Sequence, residues 1–87
     1  MQAATIAAVP DELPRAVGRR VRSLRLELGI SQEELAARAE LHRNYVGSVE
    51  RGERDVGIVA LGRLVVGLGI SLTEFFAVGW KKPMAKK

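Results

Sequence analysis

The stretch LHRNYVGSVERG, residues 41–52, gathers hydrogen-bonding side chains on one side of a short helix. At about 100° per residue, Val46 and Val49 centre one face, while Asn44, Gly47, Ser48 and Arg51 centre the other and Arg43 flanks it. Arginine can bridge two acceptors on the edge of guanine, asparagine can pair with adenine, and serine can serve either. None of these residues carries the negative charge that would repel a phosphate. Gly47 removes bulk at the centre of the face, so the backbone is expected to lie close to whatever is bound. A polar helical face is most often just a solvated face, so the chemistry needs a second element to give it direction.

Catalytic constellations are missing from the pattern. His42, the single histidine, stands at the head of this helix, where a cap or a phosphate contact is the expected role. With no cysteine and no paired histidines, a metal would lack ligands. Ser48 sits in VGSVE, which is not the strand-turn-helix elbow of a hydrolase. GLGIS at 67–71 imitates the start of a dinucleotide loop but follows a helix and lacks the third glycine. A non-enzyme is expected, with no cofactor, no metal and no small-molecule substrate.

The elements that must position the 43–51 helix follow from periodicity. Leu13, Val17, Val21, Leu24 and Leu28 recur at helical spacing and predict a first helix over about 14–28, with Pro14 in its first turn and Gly29 just past its end. Ser31 and Glu34 have capping-box spacing and open a second helix of about two turns, with Leu35, Ala36 and Ala39 as its apolar seam. Gly52 ends the third helix. Ile58, Leu61, Leu64, Val65 and Leu68 mark a fourth, in which Gly62 and Gly67 are expected to permit close helix contacts. GISLTE at 69–74 echoes GISQEE at 29–34 and starts a fifth, apolar on more than one side. No segment alternates with period two, so the fold is expected to be all-α.

Composition sets the outer bounds. Eighty-seven residues suit one core, and 47% hydrophobic with 28% charged residues is globular composition. The net charge of +4 comes entirely from Lys81, Lys82, Lys86 and Lys87, because residues 1–80 hold ten basic and ten acidic side chains. The basic balance is therefore weak evidence for a polyanion partner, and the distribution of charge matters more. The longest uncharged apolar run, 64–70, is far short of the roughly 20 residues needed to cross a bilayer, so no membrane partner is expected. MQAATIAAVP lacks a basic leader and runs into Asp11 and Glu12. Residues 1–12 are expected to be a flexible arm, 13–80 the folded domain and 81–87 a flexible lysine-rich tail. The absence of cysteine suits a reducing cytoplasm.

A short helix, a brief turn and a third helix with an outward polar face are the parts of a helix-turn-helix. GISQEELAARAELHRNYVGSVERGER, with LGRLVVGLGISLTEFF behind it, resembles the Cro and phage-repressor (XRE) type of helix-turn-helix regulator over about residues 15–77. LHRNYVGSVERGER is most similar to the controller proteins of restriction-modification systems. The resemblance implies a five-helix, lambda-repressor-like DNA-binding domain whose helix-turn-helix is formed by the second and third helices.

By position, the resemblance implies that Gln32 contacts a phosphate and buttresses the recognition helix. Arg43, Asn44 and Ser48 would reach base edges, and Tyr45 would meet the sugar-phosphate backbone. Arg51 and Arg54 match basic positions at the helix end and the loop after it. They divide between phosphate contact and salt partnership with Glu53 or Asp55. Arg25 and Glu50 fall where the family forms an ion pair between the first and third helices. Glu40 stands where many such units place glycine in the turn.

One short recognition helix is a small contact, so a homodimer on a two-fold symmetric stretch of double-stranded DNA is expected, with half-sites about 34 Å apart. The apolar residues Leu72, Phe76, Val78 and Trp80 are the candidate dimer interface. The implied activity is sequence-specific transcriptional regulation, with control of its own promoter if it acts as a controller protein does. The alternative is an antitoxin-like module whose apolar C-terminal segment binds a partner protein.

Overall fold

A computed structural model of the chain describes residues 12–77. Val78, Trp80, the expected arm to residue 11 and the expected lysine tail lie outside the described residues. Within them the chain forms five helices and no strand: α1 (Leu13–Leu28), α2 (Gln32–Ala39), α3 (Arg43–Glu50), α4 (Ile58–Leu68) and α5 (Leu72–Ala77).

The punctuation is local chemistry. Pro14 occupies the first turn of α1, where its missing N–H leaves no bond unmade. Gly29 closes the helix at φ 71°, and the N–H groups of Gly29 and Ile30 return to the carbonyls of Leu26 and Arg25. Ser31 Oγ accepts from the Glu34 N–H at 3.0 Å at the head of α2, but only half of the expected capping box is made, because the Glu34 carboxylate accepts from Arg38 one turn on. Ser71 and Glu74 make both halves at α5, at 2.8 and 3.0 Å.

Glu40 adopts the left-handed conformation, φ 57° and ψ 45°, in the turn between α2 and α3. A residue with a Cβ gives up on the order of 1 kcal/mol there. Two bonds offset that cost: Leu41 N–H donates to Ala36 O at 2.9 Å, and Arg63 reaches across from α4 to the Glu40 carbonyl at 3.2 Å.

The core takes side chains from all five helices. Val17 and Val21 of α1 meet Leu35, Ala36 and Ala39 of α2, Val46 and Val49 of α3, Leu64, Val65 and Leu68 of α4, and Phe75 of α5. Two glycines let helices close on one another. A Cβ on Gly18 would collide with the backbone oxygens of Val49 and Glu50, so α1 and α3 touch through their main chains. A Cβ on Gly67 would sit 3.2 Å from Ala39 N, where α4 crosses α2.

Four residues depart from the sequence expectation. Leu13 and Leu28 end the α1 stripe but are about half exposed, since each stands at an end of the helix, past its packed middle. Ile58 opens α4 and is 80% exposed, so the α4 seam begins at Leu61 instead. A Cβ on Gly62 would meet no atom of the described residues within 4 Å, so no close helix contact among them accounts for this glycine.

Candidate nucleic-acid interface

The orientation of α3 is fixed by a polar network beneath it. Arg25 Nε donates to Glu50 Oε2 at 2.7 Å and Arg25 Nη2 donates to Oε1 at 3.0 Å, a two-pronged pair from α1 to the last residue of α3. The third guanidinium nitrogen, Nη1, donates to the Ile30 carbonyl at 3.0 Å, and Gln32 Nε2 of α2 donates to Glu50 Oε1 at 3.0 Å. The Glu50 side chain is 2% exposed and both its oxygens are occupied. Its hydrogen bond raises the Arg25 guanidinium further above its usual range, against the opposing effect of desolvation. One buried carboxylate thus ties α1, α2 and α3 into a fixed relation.

With Val46 and Val49 buried, α3 turns its other side outward. Arg43 and Asn44 are exposed at its N-terminal end, and His42 caps it, Nδ1 accepting from the Asn44 N–H at 3.0 Å. Exposed side chains at the head of a second, short-turn helix have the geometry for reaching base edges in a major groove.

Further along α3 the structure corrects two expectations. Ser48 is not free on the outer face: it is 7% exposed, its Oγ donates to the Tyr45 carbonyl at 2.8 Å, and it accepts from Arg54 Nε at 3.0 Å. Helical wheels place Ser48 outward but carry no information about the 51–57 loop, which folds back and covers it. Gly47 does not leave an open backbone either. The side chains of Arg51 and Gln32 fill its space, with Arg51 Nη1 3.2 Å and Gln32 Oε1 3.5 Å from where a Cβ would stand.

Arg54 emerges as the organiser of this flank. Besides its bond to Ser48, its guanidinium lies over the Tyr45 ring, 5.1 Å from the centroid. Asp55, one of the two acids offered to it by the sequence, is not its partner. Arg51 does take the ionic alternative, pairing with Glu53 at 3.0 Å on the exposed surface. The hydrogen bond from Arg51, and then the charges of Arg51 and Arg54, hold the Glu53 carboxyl below its usual range. The Ser48–Arg54–Tyr45 cluster had no sequence signal beyond residue types, because its closure depends on a loop conformation.

On α5, Leu72 and Phe76 are 45% and 42% exposed, and Phe76 lines an apolar groove with Leu13, Val17, Val56 and Leu61. The described residues thus hold a polar surface on α3 and an apolar one on α5.

A model of the helix-turn-helix family matches residues 21–75. The chain belongs to the helix-turn-helix family. Among helix-turn-helix relatives, it is 43% identical over 61 residues to the control protein C.MunI of Mycoplasma sp, covering 69% of this chain and 82% of that protein. The control protein C.BamHI of Bacillus amyloliquefaciens is 36% identical over 66 residues, 71% of this chain and 82% of its own. The crystal structure of the restriction-modification controller protein C.AhdI from Aeromonas hydrophila superposes with a TM-score of 0.70 at 44% identity, covering 72% of this chain and 96% of that one. The controller protein C.Esp1396I, seen as a tetramer on its natural 35 base-pair operator, superposes with a TM-score of 0.74 at 34% identity, covering 77% and 88%. The five-helix architecture is therefore that of helix-turn-helix controller proteins.

Proposed function

We propose that this chain is a sequence-specific DNA-binding transcriptional regulator of the restriction-modification controller type, acting as a homodimer on a two-fold symmetric operator and regulating its own promoter. The observation that carries the proposal is the exposed pair Arg43 and Asn44 at the head of a helix that Glu50 locks in place from below. Its relatives among the controller proteins, one of them seen on its operator, support the same activity.

In this mechanism Arg43 and Asn44 read base edges and His42 directs the start of α3 toward the duplex. Gln32 and Tyr45 flank the groove and meet the backbone. Arg54, held by Ser48 and by the Tyr45 ring, presents its two remaining nitrogens to the nucleic acid. Ser48 acts through Arg54, and Arg51 shares its charge between Glu53 and phosphate. Leu72 and Phe76 contribute to the contact between copies, giving two recognition helices one helical turn of DNA apart.

Selection of bound sites from a random double-stranded oligonucleotide pool tests the proposal. An enriched, inverted-repeat sequence with half-sites separated by one turn is the expected result. A pool that stays random after repeated selection would remove base reading from the account.

A further inference from the structure

Most arginines of this chain are already engaged. Arg25, Arg38 and Arg51 hold carboxylates, Arg54 holds Ser48, and Arg20 and Arg63 hold backbone carbonyls. The others have no hydrogen-bond or ion-pair partner among the described residues: Arg43 at the head of α3, and Arg15, Arg19 and Arg22 on α1. These last three are exposed and stand four and three residues apart, so they form one row about 10 Å long at 1.5 Å per residue. Glu12 and Glu27, the acids near the two ends of α1, pair with none of them.

Local energetics opposes such a row. Like charges one turn apart repel, and Arg15 lies in a first turn without an acid, where the helix dipole disfavours a cation. The row also has a definite place. A Cβ on Gly52, just past the end of α3, would stand 2.7 Å from Arg15 Cγ, so the stem of Arg15 packs on that corner. Arg22 is one turn from both Gly18 and Arg25, through which α1 touches the main chain and the carboxylate at the end of α3. The row therefore starts beside the C-terminal end of the recognition helix and continues its polar surface along α1.

We infer that Arg15, Arg19 and Arg22 form a phosphate-holding track, gripping the DNA backbone that borders the groove at the C-terminal end of α3. The inference rests on the proposed DNA binding and extends it to a helix outside the helix-turn-helix. A DNA strand presents one negative charge about every 3.4 Å along its axis, so a 10 Å row meets about three phosphates. Guanidinium forks suit phosphate oxygens, and bound phosphates remove the repulsion within the row. Such contacts position the protein without reading sequence. The track supplies affinity, and the head of α3 supplies preference.

The experiment titrates the selected operator against salt with the full chain, with a triple variant carrying Arg15→Gln, Arg19→Gln and Arg22→Gln, and with the matching triple lysine variant. Arg38→Gln serves as a surface-charge control. In the glutamine variant the slope of log affinity on log salt is expected to fall by about 2 to 3 per bound copy, with at least a tenfold loss of affinity at about 50 mM salt. The lysine variant keeps most of the slope, because the charge remains. Both rank single-base operator changes as the parent does. Phosphates whose ethylation blocks the parent but not the glutamine variant mark the track. The glutamine variant melts no lower than the parent, since repulsion along α1 is relieved. If it keeps the parent's salt slope and ethylation pattern, the row does not touch DNA and the inference falls while base reading stands. A loss of equal size in Arg38→Gln would reduce the effect to net charge, and a much lower melting temperature would make the row structural; either overturns the track. If the parent itself enriches no sequence, the proposed function fails instead.

Discussion

The recognition helix α3 and α5, the last helix among the described residues, each show solvent a face suited to a partner, but they are held by different physics. A buried carboxylate at the end of α3 receives donors from two other helices, so its direction is set by bonds with strict geometry. In α5 the described contacts include one buried ring, a capping box and an arginine on the Glu74 and Phe75 carbonyls. A surface that reads base edges needs placement to within a fraction of an ångström, whereas an apolar contact tolerates sliding and repacking. The stiffer support lies under the polar face.

The largest effect is expected from breaking that support. Glu50→Ala leaves the Arg25 guanidinium buried without its counter-charge and should cost about 3–5 kcal/mol of unfolding free energy in urea titrations. If the cost is under about 1 kcal/mol, α3 is held by Val46 and Val49 alone and the contrast with α5 disappears. Next comes Arg43→Ala, which should lose about 1–3 kcal/mol of binding on the selected operator while the melting temperature stays close to that of the parent.

Ser71→Ala probes the softer region. Removing the N-cap of α5 should destabilise the chain by about 1 kcal/mol in thermal or urea unfolding, with Arg43-dependent base preference unchanged. Gly62→Ala sharpens the comparison from the other direction. Among the described residues a Cβ there would meet nothing within 4 Å, so the better helix former should raise stability by about 0.5–1 kcal/mol. A weaker dimer in the same variant would show that α4 also lies in the contact between copies. The smallest expected change is in Glu53→Gln, which releases Arg51 from its ionic partner and should tighten DNA binding roughly twofold at low salt, an effect that fades as counterions screen it.

Much of this architecture was legible in the sequence because it is written in local chemistry. Pro14, Gly29, Ser31, Gly69 and Ser71 mark helix ends by backbone preference or by bonds to residues three or four away. The inward Val46 and Val49 follow from periodicity alone. Arg25 and Glu50 came from family resemblance, since their separation of 25 residues gives no local signal. What stayed hidden depends on loops and on distant backbone. Ser48 lies on the outward side of a helical wheel, yet the 51–57 loop returns to cover it with Arg54. Arg20 is one of several arginines on α1, and only the folded chain shows that its partners are the carbonyls of Glu74 and Phe75. Ile58 fitted an apolar stripe but is left 80% exposed by the described residues.

The central claim is that the head of α3 reads bases. Its most direct test is binding of the parent chain and of Arg43→Ala to a panel of operators carrying every single base-pair change in one half-site. Loss of discrimination at one base pair, with the remaining positions ranked as for the parent, is the predicted result. A uniform drop in affinity across the whole panel would mean that Arg43 touches only the phosphate backbone, and the claim would be contradicted.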